Sequence, residues 1–333
     1  MLREPKPFWR EVPDDVKEAI EEVLGAPVRR AIRVFGGYGP SATFRLFLGD
    51  GRTVFVKGAG IRSTAYHWEV LPLEERAYRE IRAIRPWAPR FFGAVRREGW
   101  HLLLLEDLRG ARFVPPWTEE LAAAAVDDIA ALHCAGMRDP VDLPPLEGDV
   151  FAQNWQAVAP GGPDEDNFLS LCGPRREVAR RWVEAALPTL VAHEAQLQRE
   201  DQPHGIIHCD IRSDNLCLRD GRLVLFDWAA LRRGPLAFDI AAFLPSLAAE
   251  GGTSAPILAE RYAAALAAQG VALPRWPMAA AVCAVAGYFA SRAGRAGIAG
   301  LPRLRAIQRA QLRVALPWAA ALLSLPQPPE LCD

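Results

Sequence analysis

At 333 residues, half of them hydrophobic and 24% charged, the chain is long enough to bury a sizeable core in a two-lobed or two-domain body and too apolar to be disordered. A net charge of −1 speaks against a nucleic-acid binder and against a protein built for a membrane surface. Cys134, Cys172, Cys209, Cys217, Cys283 and Cys332 form no Cys-x-x-Cys pair, which fits reduced thiols better than a disulfide framework or a zinc site. The charged, Pro-rich N-terminus carries no signal-peptide core, and the longest uncharged run, 276–291, is shorter than the ~20 residues a membrane span needs. The expectation is a cytoplasmic protein in which that run is a buried helix.

In chain order, residues 13–24 read as a helix opened by Pro13-Asp14-Asp15 and stopped at Gly25. Strands are expected at 31–35, 43–48 and 53–57, the last two joined by an Asp50-Gly51 turn. Between the first two lies Gly36-Gly37-Tyr38-Gly39-Pro40-Ser41, whose glycines allow backbone N–H groups to approach phosphates closely. Of the 39 basic residues only Lys6, Lys17 and Lys57 are lysines, so Lys57 at a strand end is an exception with a chemical reason.

A helix over 71–85 follows, with Pro72 in its first turn and Leu73, Ala77, Ile81 and Ile84 as its buried stripe. At about 100° per residue Glu74 falls about 60° from Ala77, the stripe centre, and Glu75 falls on the far side. Glu74 is thus the better-placed partner for Lys57, and Glu80, flanking the other edge, is the alternative. Strands at 91–96 and 101–105 lead into Glu106-Asp107-Leu108. Residues 118–135 form a helix capped by Thr118, with Leu121, Val126, Ile129 and Leu132 on one face and a packed His133 near its end. Residues 138–174, rich in Pro, Gly and Asp, read as a long irregular connection, a candidate flap carrying Trp155. A helix over 175–198 and, beyond 240, Ala/Leu-rich helices broken at Gly251-Gly252, Gly270 and Gly300 complete the chain.

Residues 204–228, HGIIHCDIRSDNLCLRDGRLVLFDW, carry the chemistry. Leu216 to Leu218 and Leu223 to Phe226 make a hairpin about Asp220-Gly221, a pair suited to a type I′ turn. A hairpin returns its ends to one another, so Asn215 and Asp227 stand together as hard oxygen ligands for Mg²⁺. Asp210, five residues before Asn215, is placed to orient or deprotonate a hydroxyl.

This run resembles the catalytic loop of the aminoglycoside phosphotransferase and choline kinase-like family, relatives of the protein kinases. The resemblance implies an α+β, two-lobed protein-kinase-like fold: a small N-terminal lobe with an antiparallel sheet and a helix (1–107), and a larger, mainly helical C-terminal lobe (108–333). It implies Asp210 as catalytic base, Asn215 and Asp227 as Mg²⁺ ligands and His208 as the loop's structural histidine. Lys57, held by Glu74, would meet the α- and β-phosphates of ATP under the turn of Gly36, Gly37, Gly39 and Ser41. Backbone groups of Glu106 to Leu108 would bind the adenine edge, which leaves GTP open as well. Arg212 would touch the γ-phosphate, at a position the family commonly fills with His or Pro. Cys209 replaces a frequent Gly, and Trp228-Ala229 replaces Phe-Gly after the metal Asp. In Gly234-Pro235-Leu236-Ala237-Phe238-Asp239 the last residue is expected to accept hydrogen bonds from catalytic-loop backbone.

Only eleven residues separate Asp227 from Asp239, too few for a peptide-binding platform, so the expected acceptor is a hydroxylated small molecule. Residues 251–333 hold eight arginines against Glu260, Glu330 and Asp333, a balance that disfavours a polycationic antibiotic. The expected state is a monomer or homodimer. Two rival readings stay open: a nucleotide-binding pseudokinase acting as a regulatory module, and an aminoglycoside-resistance O-phosphotransferase.

Overall fold

The structure, a computed structural model, describes residues 6–35, 41–139, 141–146, 148–298 and 301–332. Gly36, Gly37 and Gly39 of the expected phosphate turn lie outside the described residues, as does Gly300. The chain divides into two compact units, one of Met1–Val114 with Asp214–Leu231 and one of Pro115–Ser213 with Arg232–Asp333. The hairpin that carries Asn215 and Asp227 therefore groups with the first unit, whereas a boundary at 107/108 would leave it in the second.

In the first unit α1 (Asp14–Leu24) ends where Gly25 turns left-handed at φ 66° and its N–H reaches Glu21 O. Strands β1 (Val28–Arg33), β2 (Ala42–Leu48) and β3 (Thr53–Ala59) precede α2 (Ala65–Glu80), followed by β4 (Phe91–Arg97) and β5 (Trp100–Glu106). The five strands form one antiparallel sheet in the order β1-β2-β3-β5-β4. One face buries Phe44, Leu46, Val54, Val56, Leu102 and Leu104 against Val16 and Ile20 of α1, the period-2 and period-3.6 stripes meeting as patterned. Lys57 pairs with Thr43 on β2 and Leu103 on β5, so its strand is fixed from both sides. The next residue, Gly58, has no room for a side chain: a Cβ there would lie 2.0 Å from His101 O.

Helix α2 departs from expectation. It begins after Thr64, six residues earlier than read, and Pro72 lies inside it and not in its first turn. It also stops at Glu80, because Ile81 turns extended (φ −86°, ψ 103°); Ile81 and Ile84 are buried from the segment that follows. Leu73 is 40% exposed and Leu71 takes its place in the core. Glu75, expected on the solvent face, is buried because Arg79, Arg96 and His101 surround its carboxylate at 2.6–2.7 Å. Between the strands Leu216–Arg219 and Arg222–Leu225 the hairpin turns at Asp220 (φ 52°) and Gly221 (φ 76°), both left-handed as a type I′ turn requires.

The second unit is mainly helical: α3 (Glu119–Arg138), α4 (Gly148–Phe151), α5 (Asn154–Val158), α6 (Glu165–Ser170), α7 (Arg176–Ala195), α8 (Ala237–Ala249), α9 (Ala255–Ala268), α10 (Arg275–Ala290) and α11 (Leu304–Leu322). Thr118 caps α3 by accepting Leu121 N at 3.3 Å. The run read as a buried helix is α10, apolar around its whole circumference and buried almost throughout. Among the described residues no helix is long and apolar enough to cross a membrane.

The 138–174 connection is not irregular throughout. It contains three short helices, and Trp155 on α5 is fully buried with its indole N–H donating to Cys283 O at 2.9 Å. Composition alone hid this, since Pro and Gly mark helix ends as readily as they mark loops.

Candidate active site

In the first unit the site is built around Lys57. Its Nζ stands 2.9 Å from Glu74 Oε2 and 2.7 Å from Asp227 Oδ1. Burial opposes the charge on Lys57, but the carboxylates of Asp227 and Glu74 outweigh it and hold the ammonium above its ordinary pKa. Glu74 is buried on α2 and also lies 3.5 Å from the Tyr78 hydroxyl. Glu80, the alternative, points outward and pairs with Arg76 at 2.9 Å.

Asp227 is itself left-handed (φ 67°, ψ 56°), a backbone uncommon outside glycine that aspartate adopts more readily than most residues. Phe226 N donates to Asn215 O at 3.0 Å, closing the hairpin so that Asn215 and Asp227 emerge at the same end. The Asp227 side chain is 43% exposed. Among the described residues no group of three or more His, Cys, Asp or Glu is arranged to hold a metal. The amide of Asn215 and the carboxylate of Asp227 nevertheless suit Mg²⁺, which takes few protein ligands and completes its shell with water and phosphate oxygens.

Beyond β5, Glu106 is tied down: its N–H donates to Arg90 O at 2.8 Å, and its carboxylate accepts Arg90 N and pairs with Arg219. Asp107 holds Arg45 at 2.8 Å. The Leu108 N–H makes no hydrogen bond among the described residues, which leaves it open to a ligand acceptor. Ser41, half-buried immediately before β2, is the one residue of the expected phosphate turn that the structure describes.

In the second unit Asp239, fully buried in the first turn of α8, accepts His208 N at 2.7 Å and Cys209 N at 2.8 Å. His133 braces the same carboxylate: its Nε2 lies 3.1 Å from Asp239 Oδ2 and its Nδ1 lies 2.6 Å from the Tyr262 hydroxyl. The loop is thus fixed by its backbone. His208 is buried and its Nδ1 accepts Asp210 N at 3.3 Å, a positioning role, while Asp210 is left half-buried. Arg212 Nη1 lies 3.0 Å from Asp210 Oδ1. Cys209 is left-handed at φ 66°, the conformation glycine adopts without strain. The part played by His133 was not legible beyond its being packed, because its two partners lie 106 and 129 residues away.

The profile of a phosphotransferase enzyme family matches residues 36–278. Curated proteins yielded no match to the sequence. Among solved structures, a spectinomycin phosphotransferase bound to ADP and spectinomycin superposes with a TM-score of 0.61 at 11% identity, covering 95% of this chain and all of that one. A choline/ethanolamine kinase family protein from Mesorhizobium loti gives 0.55 at 15% identity over 93% of this chain and 95% of that one. An amicoumacin kinase in complex with AMP-PNP, Ca²⁺ and its antibiotic gives 0.54 at 13% identity over 92% and 96%. At these identities the superpositions show a shared fold, the two-lobed α+β architecture of these kinases.

Proposed function

The chain belongs to the phosphotransferase enzyme family and is a small-molecule phosphotransferase, and we propose that it moves the γ-phosphate of ATP to an acceptor hydroxyl with Mg²⁺. The observation that carries this reading is Lys57 held between Glu74 and Asp227 on the sheet unit. A partly buried ammonium kept charged by two carboxylates, one of them exposed enough to take a metal, is the arrangement phosphate recognition needs.

Asn215 and Asp227 would hold Mg²⁺, which would supply positive charge to the nucleotide phosphates, and Lys57 would then neutralise phosphate oxygens in place of Asp227. Leu108 N–H donates to the base edge, and Ser41, immediately before β2, meets the phosphates. Asp210 accepts the proton of the acceptor hydroxyl as its oxygen bonds to the γ-phosphorus and the bond to the β–γ bridging oxygen breaks, with ADP leaving. Arg212 offsets charge on the transferred group. Asp239 and His133 contribute no reacting atom; they keep the backbone under Asp210 in place, which is where an enzyme of this chemistry gains its rate.

The test is transfer of label from γ-labelled ATP in the presence of Mg²⁺ to pooled hydroxylated metabolites and antibiotics, beside an Asp210→Ala control. Transfer to one acceptor that vanishes in the control is the expected result. A chain that binds no MgATP sinks the reading, and one that binds it but transfers to nothing in the pool is a pseudokinase toward those acceptors.

A further inference from the structure

The second unit holds a basic group that no carboxylate pairs with among the described residues. Arg292, just beyond α10, donates through Nη1 to Asn154 Oδ1 at 2.6 Å, to Ser291 Oγ at 2.7 Å and to Tyr288 O at 3.4 Å. Its guanidinium carbon stands 4.1 Å from the Tyr288 ring centroid. All of these partners are neutral, and among the described residues no carboxylate pairs with Arg292. Among the described residues its Nε and Nη2 make no hydrogen bond and are not sealed from solvent, which leaves one edge of the fork open.

Arg305, in the first turn of α11, is in the same state: Nε donates to Ala296 O at 3.1 Å and Nη1 to Gln308 Oε1 at 2.8 Å, again neutral groups. The neighbouring Arg295, by contrast, is answered by both oxygens of Asp164 at 2.6 and 2.8 Å. Burial, reinforced by Arg295 and Arg305 against the pull of Tyr288 and Asp164, lowers the Arg292 pKa. A half-buried guanidinium with an open edge is costly in isolation and matches a carboxylate or phosphate in shape.

The cluster is tied to the catalytic loop. The Tyr288 ring lies 5.1 Å from that of Phe151, which lies 4.6 Å from that of Phe238. Phe238 precedes Asp239, the residue that holds His208 and Cys209 beside Asp210.

We propose that Arg292, with Arg305, is the anion-binding subsite for the phosphate acceptor, so that the acceptor is a hydroxylated small molecule bearing a carboxylate or a phosphate. The proposal rests on the phosphotransfer reading of Asp210. It turns the surplus of arginines in this unit from a solvated surface into a specificity element, and it disfavours amine-bearing acceptors by direct repulsion.

The experiment measures the rate at which phenylglyoxal modifies each arginine of the full chain, read by peptide mass spectrometry at constant ionic strength. The added probes are inorganic phosphate, acetate, gluconate, glucose 6-phosphate, glucose and glucosamine. Arg292 is expected to be protected at least fivefold by one or more of the anions and by neither glucose nor glucosamine, while the exposed Arg222 is unaffected throughout. Phosphate-only protection identifies a phosphorylated acceptor and carboxylate-only protection an acid. Equal effects at Arg292 and Arg222, or none at Arg292 with any anion, overturn the proposal.

Arg292→Gln and Arg292→Lys, checked for unchanged MgATP affinity, supply the second arm. Arg305 is expected to lose its anion protection at least fivefold in both variants, because a lysine keeps the charge and loses the fork; full retention of that protection in both also overturns the proposal. MgATP binding, measured on the same samples, reports separately on the phosphotransfer reading, whose failure would leave the anion result standing.

Discussion

Lys57 Nζ stands 2.9 Å from Glu74 Oε2, and the two side chains differ in exposure, 20% against 1%. The glutamate is the member that depends on the pair. Sealed inside the sheet unit, its carboxylate has no water to fall back on, whereas the lysine has a second partner in Asp227. With Asp227 engaged by a metal, as proposed above, Glu74 would be what keeps the ammonium aimed.

Removing Lys57 therefore has two consequences. Lys57→Met is expected to lower kcat about 10²–10³-fold and to cost about 3 kcal/mol of stability, since it leaves Glu74 buried without a cation. Adding Glu74→Gln to that variant restores most of the stability and none of the activity. Urea unfolding and steady-state kinetics on the two variants read both quantities. Glu80→Gln, at the exposed Arg76 pair, serves as the control and changes neither by more than about 0.5 kcal/mol.

Asp239→Asn tests the backbone clamp. The amide keeps one acceptor and turns an N–H₂ toward a backbone donor, leaving one of the His208 and Cys209 N–H groups unsatisfied. A loss of about 2 kcal/mol in stability is expected from the orphaned donor. Displacement of Asp210 is expected to lower kcat roughly a hundredfold with nucleotide affinity little changed. Equal losses in kcat and nucleotide binding would instead mean general unfolding.

Cys209 occupies a left-handed position with a side chain. Cys209→Gly removes strain and adds freedom to the unfolded chain, two effects of about 1 kcal/mol that nearly cancel. Cys209→Val, branched at Cβ, is expected to lower stability by more than about 1 kcal/mol. Thermal unfolding of the pair separates a conformational requirement from a chemical one, because neither variant keeps the thiol.

The hairpin and its Asp-Gly turn were legible because each is local, a turn type and a spacing, whereas the Asp239 clamp was expected only from the family resemblance. Glu74 was placed beside Ala77 by helical angle even though the helix was misplaced, but the same angle put Leu73 inside and Glu75 outside, and the structure reverses both. What sequence hid was supplied from a distance. Glu75 is buried by Arg96 and His101, which arrive from β4 and β5. Trp155 is buried by α10, more than a hundred residues on. Pro72 was read as a helix start because proline favours the first turn, yet Thr64 opens the helix earlier and the fold tolerates the missing N–H.

Glu194 makes a pH-dependent prediction with an unusual sign. It lies at 3% exposure on α7, and its Oε1 accepts Asn154 N at 3.1 Å at the start of α5. Burial raises its pKa from the ordinary 4.5 to about 7, and the N–H groups of α5 only partly offset that rise. Because the folded value lies above the unfolded one, folding takes up a proton between them, and the stability this group contributes is present below 4.5 and lost as pH rises toward 7. The total change is on the order of 3 kcal/mol. Glu75 runs the other way: its cations outweigh burial and hold it at about 2, so its contribution is present above 4.5 and lost as pH falls toward 2. Urea midpoints of wild type and Glu194→Gln from pH 5 to 8.5 isolate the first group. The variant should lose the decline between pH 5 and 7 and match or exceed wild type at pH 8. Parallel curves for the two proteins would show that Glu194 stays charged in the folded chain, stabilised by the helix N-terminus it caps.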